Sequence, residues 1–177
     1  MNSEILISNI IDVLKEQQIK LGFMKERVRL YYMLSSLNNL LGTKLDCIDM
    51  QNKLEEIMSK NSDIFAGTEI SFKDERFCFN FPESVSVYVH ENTDNTGFIY
   101  DFINTVARHG VVIDDVIAEF GKYSDNVHVE TMNDEEFDYL VYFEDGIPDS
   151  YRYCLKDEGH HMIYHRFTLK DYEEMFG

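Results

Sequence analysis

Three of the chain's six histidines fall within six positions, in Asp157-Glu158-Gly159-His160-His161-Met162-Ile163-Tyr164-His165. Imidazole titrates near neutrality and a carboxylate can orient it. His160, His161 or His165 with Asp157 or Glu158 therefore offers the acid/base chemistry of a small hydrolase-like enzyme. The pattern has low specificity, because any hairpin with polar turn residues brings such neighbours together. His161 and His165 also have HxxxH spacing, which on a helix delivers two imidazoles to one ion. On a strand, four residues span ~13 Å, whereas zinc sits ~2 Å from each ligand nitrogen. A shared ion there would need His128 or an acid from another element, and no HExxH or cysteine pair supports it. The residue types assign no metal and no cofactor, and a metal-binding regulator is the weaker alternative.

Other motifs add little. No GxSxG elbow marks a serine nucleophile, and the phosphate-binding patterns GxGxxG and GxxxxGK[ST] are absent. Residues 92–97 echo a calcium loop, but the position that needs a bidentate Glu is Ile103. Glu144, Asp145 and Asp149 around Gly146 read as an acidic turn. Tyr and Arg are favoured at protein interfaces because they combine contact area with a polar tip. Arg152, Tyr164, Arg166 and Tyr142 form a candidate interaction patch on that ground, against the simpler reading of the wet side of a sheet.

The elements that must position these residues are legible from periodicity. Ser3 can cap a first helix carrying Ile7, Ile10, Ile11 and Leu14, broken at Leu21-Gly22-Phe23. A second helix is predicted over about 25–41, with Leu30, Leu34, Leu37 and Leu41 on one stripe and Gly42 as its left-handed cap. Asp46 can open a third, with Met50, Leu54 and Ile57 inward. Residues 69–72 and 77–81 alternate in period two across Lys73-Asp74-Glu75-Arg76, a hairpin signature. Residues 82–89 satisfy both periods, and Pro82 tips the reading towards a helix. Helices over 98–109 and 114–120 follow. Strands are predicted at 127–132, 137–143, 150–156 and 160–167, and then a last turn capped by Thr168.

A three-residue loop at Asp157-Glu158-Gly159 would set Lys156 opposite His160, Tyr153 opposite Ile163 and Tyr151 opposite His165. His161, His165 and Phe167 then share a buried face with Tyr153 and Leu155, while Arg152, Tyr164 and Arg166 lie on the wetter face. The fold class is α+β: N-terminal helices, a β-hairpin, and a C-terminal antiparallel meander of about four strands covered by helices. With no repeat or Pro-rich linker, the expectation is a single 1–177 domain, helical over 1–66 and mixed over 67–177.

Composition bounds the class. The chain has 177 residues, 44% of them hydrophobic, and a formal net charge of −17. Lys/Arg and Asp/Glu balance at eight each over residues 1–60, but stand at one against 12 over residues 111–150. Such a surface repels phosphate backbones and attracts a basic protein partner, so nucleic acid is not an expected partner. A solvated, solubilising face is the plainer use of the same charge. Cys47, Cys78 and Cys154 are an odd number with no CxxC, which points to reduced core thiols. No segment has the length and apolarity of a membrane span, so a soluble protein with no membrane partner is expected.

The blocks EQQIKLGF, RVRLYYMLSSLNNLLGT and FDYLVYFEDGIPDSYRYCLKDEGHHMIYHRFT resemble a family of uncharacterised proteins of gut clostridia and related Firmicutes, a domain of unknown function of about this length. The resemblance covers nearly the whole chain and implies a bacterial, cytoplasmic, single-domain protein. It brings no activity, ligand or catalytic residue. The expected function is a non-enzymatic acidic interaction protein, with the enzyme and the metal-binding regulator as alternatives.

Overall fold

The structure, a computed structural model, describes residues 2–177. Two compact units divide the chain, the first ending at Asp94 and the second spanning Asn95–Gly177. Both mix helices with antiparallel sheet, so the fold class is α+β.

The first unit contains α1 (Asn2–Leu21), β1 (Val28–Met33), α2 (Leu34–Leu41), α3 (Cys47–Lys60), α4 (Ser62–Phe65), β2 (Glu69–Lys73), β3 (Arg76–Phe81) and α5 (Glu83–Glu91). Helix α1 begins at Asn2, so Ser3 lies in its first turn and is not its cap. The predicted helix over 25–41 is corrected. Val28–Met33 is a strand, paired antiparallel with β3 from Val28↔Phe81 to Met33↔Arg76, and the helix starts only at Leu34. Its sequence VRLYYM alternates Val28 and Leu30 inward with Arg29, Tyr31 and Met33 outward. Pairing with the β2–β3 hairpin outweighs the helical spacing of Leu30 and Leu34.

The hairpin itself closes Lys73 against Arg76 through Asp74 at φ 50° and Glu75 at φ 63°. Positive φ at both central residues matches the twist of the flanking strands. Asp46 caps α3 by accepting from the Asp49 N–H at 2.9 Å, and Gly42 ends α2 at φ 65°. The ambiguous 82–89 segment is helical, with Pro82 at the N-cap of α5. Phe77, Phe79 and Phe81 of β3 meet Leu6, Ile10 and Leu14 of α1 in the core. There the buried Asn9 accepts a 2.8 Å hydrogen bond from the Tyr32 hydroxyl.

The second unit contains α6 (Phe98–Val106), α7 (Ile113–Gly121), β4 (Val127–Thr131), β5 (Tyr139–Phe143), β6 (Arg152–Asp157), β7 (Met162–Phe167) and α8 (Leu169–Phe176). The four strands form an antiparallel meander in the order β4-β5-β6-β7. Phe98, Phe102 and Phe120 of α6 and α7 all pack edge-on to Tyr153, for example Phe102–Tyr153 at 4.9 Å, and Phe98 is also edge-on to Phe143 at 4.8 Å. Each such pair adds about 1 kcal/mol beyond burial. On the other face, Tyr172 and Phe176 of α8 pack against Leu140, Cys154 and Phe167. Thr168 caps α8 as predicted. The strand predicted over 137–143 starts at Tyr139, and Phe137 precedes β5 and joins Phe167 and Phe176.

The last hairpin differs from the expected register by an odd number of residues. Asp157 pairs with Met162, so Lys156 faces Ile163 and Tyr153 faces Arg166. Its loop is residues 158–161, closed by the Glu158 N–H donating to the His161 carbonyl at 3.1 Å. An odd slip exchanges the two faces of a strand. Tyr164 and Arg166 therefore lie with Tyr153 and Leu155, while His165 and Phe167 lie with Cys154.

Candidate functional site

The proposed acid/base residues do not assemble. His160 and His161 are exposed in the hairpin loop, and among the described residues neither pairs with a carboxylate. Asp157 is occupied by its own loop, its carboxylate accepting from the Gly159 N–H at 2.8 Å. Its backbone N–H donates to Asp138 at 2.8 Å, the leading reason that carboxyl is held below its ordinary range. Glu158 is exposed and contributes only the backbone bond that closes the loop. His165 stands on the opposite side of β7 from Tyr164, its ring 4.2 Å from that of Phe167. The His160 ring instead approaches His109, at 6.3 Å between centroids, because the Gly110 N–H donates to the His160 carbonyl at 2.7 Å. That neighbour is not visible in the sequence, where 50 residues separate the two. Among the described residues, no three His, Cys, Asp or Glu side chains converge as metal ligands.

The four proposed interaction residues separate into two pairs. Tyr164 packs on Phe102 at 4.7 Å, and Arg166 lies over the Tyr151 ring at 4.3 Å. Beside them Tyr153, wholly buried, donates to Asp149 at 2.6 Å. Burial first, and the Asp149 charge second, push the Tyr153 phenol well up, with Arg166 opposing. A phenol so placed keeps its proton and serves packing.

Arg152 and Tyr142 share the other face and extend into a ladder. The Arg152 guanidinium sits 3.7 Å above the Tyr142 ring, and Tyr142 stacks on His128 at 4.6 Å. His128 lies directly across from Tyr142 in the β4–β5 register. Its Nε2 contacts Glu130 at 2.8 Å and its Nδ1 approaches Glu144 at 3.6 Å. Here a histidine meets two carboxylates, and the residue count between strands conceals it. Cation, ring and imidazole are stacked across three strands, and exposed Glu130 and Glu144 rim them. The arrangement presents ordered negative charge to solvent.

A second polar cluster joins α6 and α7. Glu119 is buried and accepts from Thr105 Oγ1 at 3.1 Å and Lys122 Nζ at 2.8 Å. The Tyr123 hydroxyl donates to Asp101, and this bond pushes the phenol up to about 12. The first unit bears an exposed sheet face where Arg76 lies over Tyr31 at 4.4 Å, beside Met33 and Phe72. The alternation of Tyr31 and Met33 would have revealed it had β1 been read as a strand.

No helix among the described residues is long and apolar enough to cross a membrane. Comparison with curated proteins and with solved structures found no match. Residues 3–176 match a family described as "Domain of unknown function, E. rectale Gene description (DUF3877)". With that match spanning nearly its full length, the chain belongs to this family of uncharacterised domains.

Proposed function

We propose that the protein is a non-enzymatic interaction module of the bacterial cytoplasm whose second unit binds a basic protein partner. The observation that carries this reading is the charge of residues 95–177, where 18 carboxylates stand against six Lys/Arg. The sheet orders part of that charge around the Arg152–Tyr142–His128 ladder, so that Glu130 and Glu144 meet a partner without a large entropy cost. The hydrolase-like and metal-binding alternatives draw less support, because among the described residues His160 and His161 contact no carboxylate and no three metal-ligating side chains converge.

The test is a pull-down from lysate of the source bacterium at about 50 and about 500 mM NaCl, with wild type and Glu130→Lys/Glu144→Lys as baits. The expected partner is basic, is retained only at low salt, and is lost from the variant. A partner held equally at both salt concentrations, or equally by both baits, sinks the electrostatic account.

A further inference from the structure

The first unit contains a basic cleft that the acidic composition conceals. Lys20, Lys25, Arg27 and Arg29 all line a cavity of about 310 Å³ between the end of α1 and the start of β1. Local folding forces this convergence. Helix α1 ends at Leu21, the chain reverses over 22–27, and inward burial of Val28 directs Arg29 outward. Lys20 is paired with Glu16 at 2.9 Å. Among the described residues, Lys25, Arg27 and Arg29 take part in no ion pair. The carbonyl end of α1 favours a cation at Lys20, but that field decays within the last helical turn and does not account for Arg27 and Arg29.

We propose that this cleft binds a small phosphate-bearing anion. Two guanidinia supply planar, forked donors suited to phosphate oxygens, and the Lys25 ammonium adds point charge, while Glu16 already offsets Lys20. Leu21 and Val28 form apolar walls that sharpen the local field, and Gln17 offers a neutral amide at the rim. The volume is near the lower end for ligand cavities, which selects a compact ligand. Size also separates a small anion from a nucleic acid. A long polyanion senses the whole net charge of −17, whereas a bound phosphate samples charges within about one screening length, ~8–10 Å.

Titration calorimetry on the full chain with sodium pyrophosphate, at matched ionic strength, tests the proposal. Sodium sulfate serves as the simple-anion control, and ADP reports whether a base adds affinity. Saturable pyrophosphate binding is expected, tighter than sulfate, and weakened about tenfold or more in Arg27→Gln/Arg29→Gln. Both arginines are exposed, so circular dichroism should show that variant folded, and Lys60→Gln, distant in sequence from the cleft, should bind as wild type does. No saturable pyrophosphate binding, equal affinity for sulfate, or binding undiminished in the double variant would overturn it.

Discussion

Tyr153 and Cys154 are neighbours in sequence and point to opposite faces of β6, and their environments differ accordingly. The Tyr153 hydroxyl is satisfied by Asp149, so Tyr153→Phe should cost about 1 kcal/mol and Tyr153→Ala about 3–5 kcal/mol by leaving a cavity. Denaturant titrations of both variants measure this; equal costs would show that the hydroxyl, not the ring, carries the residue's contribution. Cys154 is buried under α8, and burial, then the charge of Asp134, pushes its thiol up to about 12. Its thiolate is scarcely populated at neutral pH. With a thiol reagent, Cys47 and Cys78, both half-buried, should label first and Cys154 only on unfolding. Three equal rates would refute the placement. Composition suggested reduced core cysteines, but not which of the three lies deepest.

At the scale of elements, Tyr123, just past α7, donates to Asp101 of α6 and adds a polar tie to the packing of the two helices. The native phenol keeps its proton to about 12, whereas the unfolded one releases it near its ordinary 10.0. The native state therefore binds more protons in that window, so stability is full below pH ~10 and falls as pH rises towards ~12. Tyr123→Phe should flatten part of that alkaline decline, measured as denaturant midpoints across the window; an unchanged slope would place the titration elsewhere. Element reading from sequence worked where one period dominated. The caps at Asp46 and Thr168, the Asp74-Glu75 turn and the Phe98, Phe102 and Val106 stripe are all local signals. It failed at Val28–Met33, where residues suited to both periods were decided by the strand they pair with. It failed again at residues 157–162, where loop length set the register and one odd slip moved Arg166 inward and His165 to the other face.

For the molecule as a whole, charge is divided unequally: residues up to Asp94 hold ten Lys/Arg and 15 carboxylates, whereas Asn95–Gly177 hold six and 18. Mutual repulsion among the latter should make the protein more stable as salt is added from low ionic strength. Thermal melts over a salt series should show a rising midpoint, and a fall would mean that local ion pairs outweigh the repulsion. Sequence alone determined the α+β class, the caps at Asp46 and Thr168, the two hairpin regions and the acidic bias, because each follows from neighbours along the chain or from composition. Only the tertiary structure decided that His128 meets Glu130 and Glu144, which Arg–Tyr pairs share a face, and that four cations line one cleft. Those outcomes depend on strand register and chain reversal, which set distances between residues far apart in sequence and leave almost no mark on local spacing.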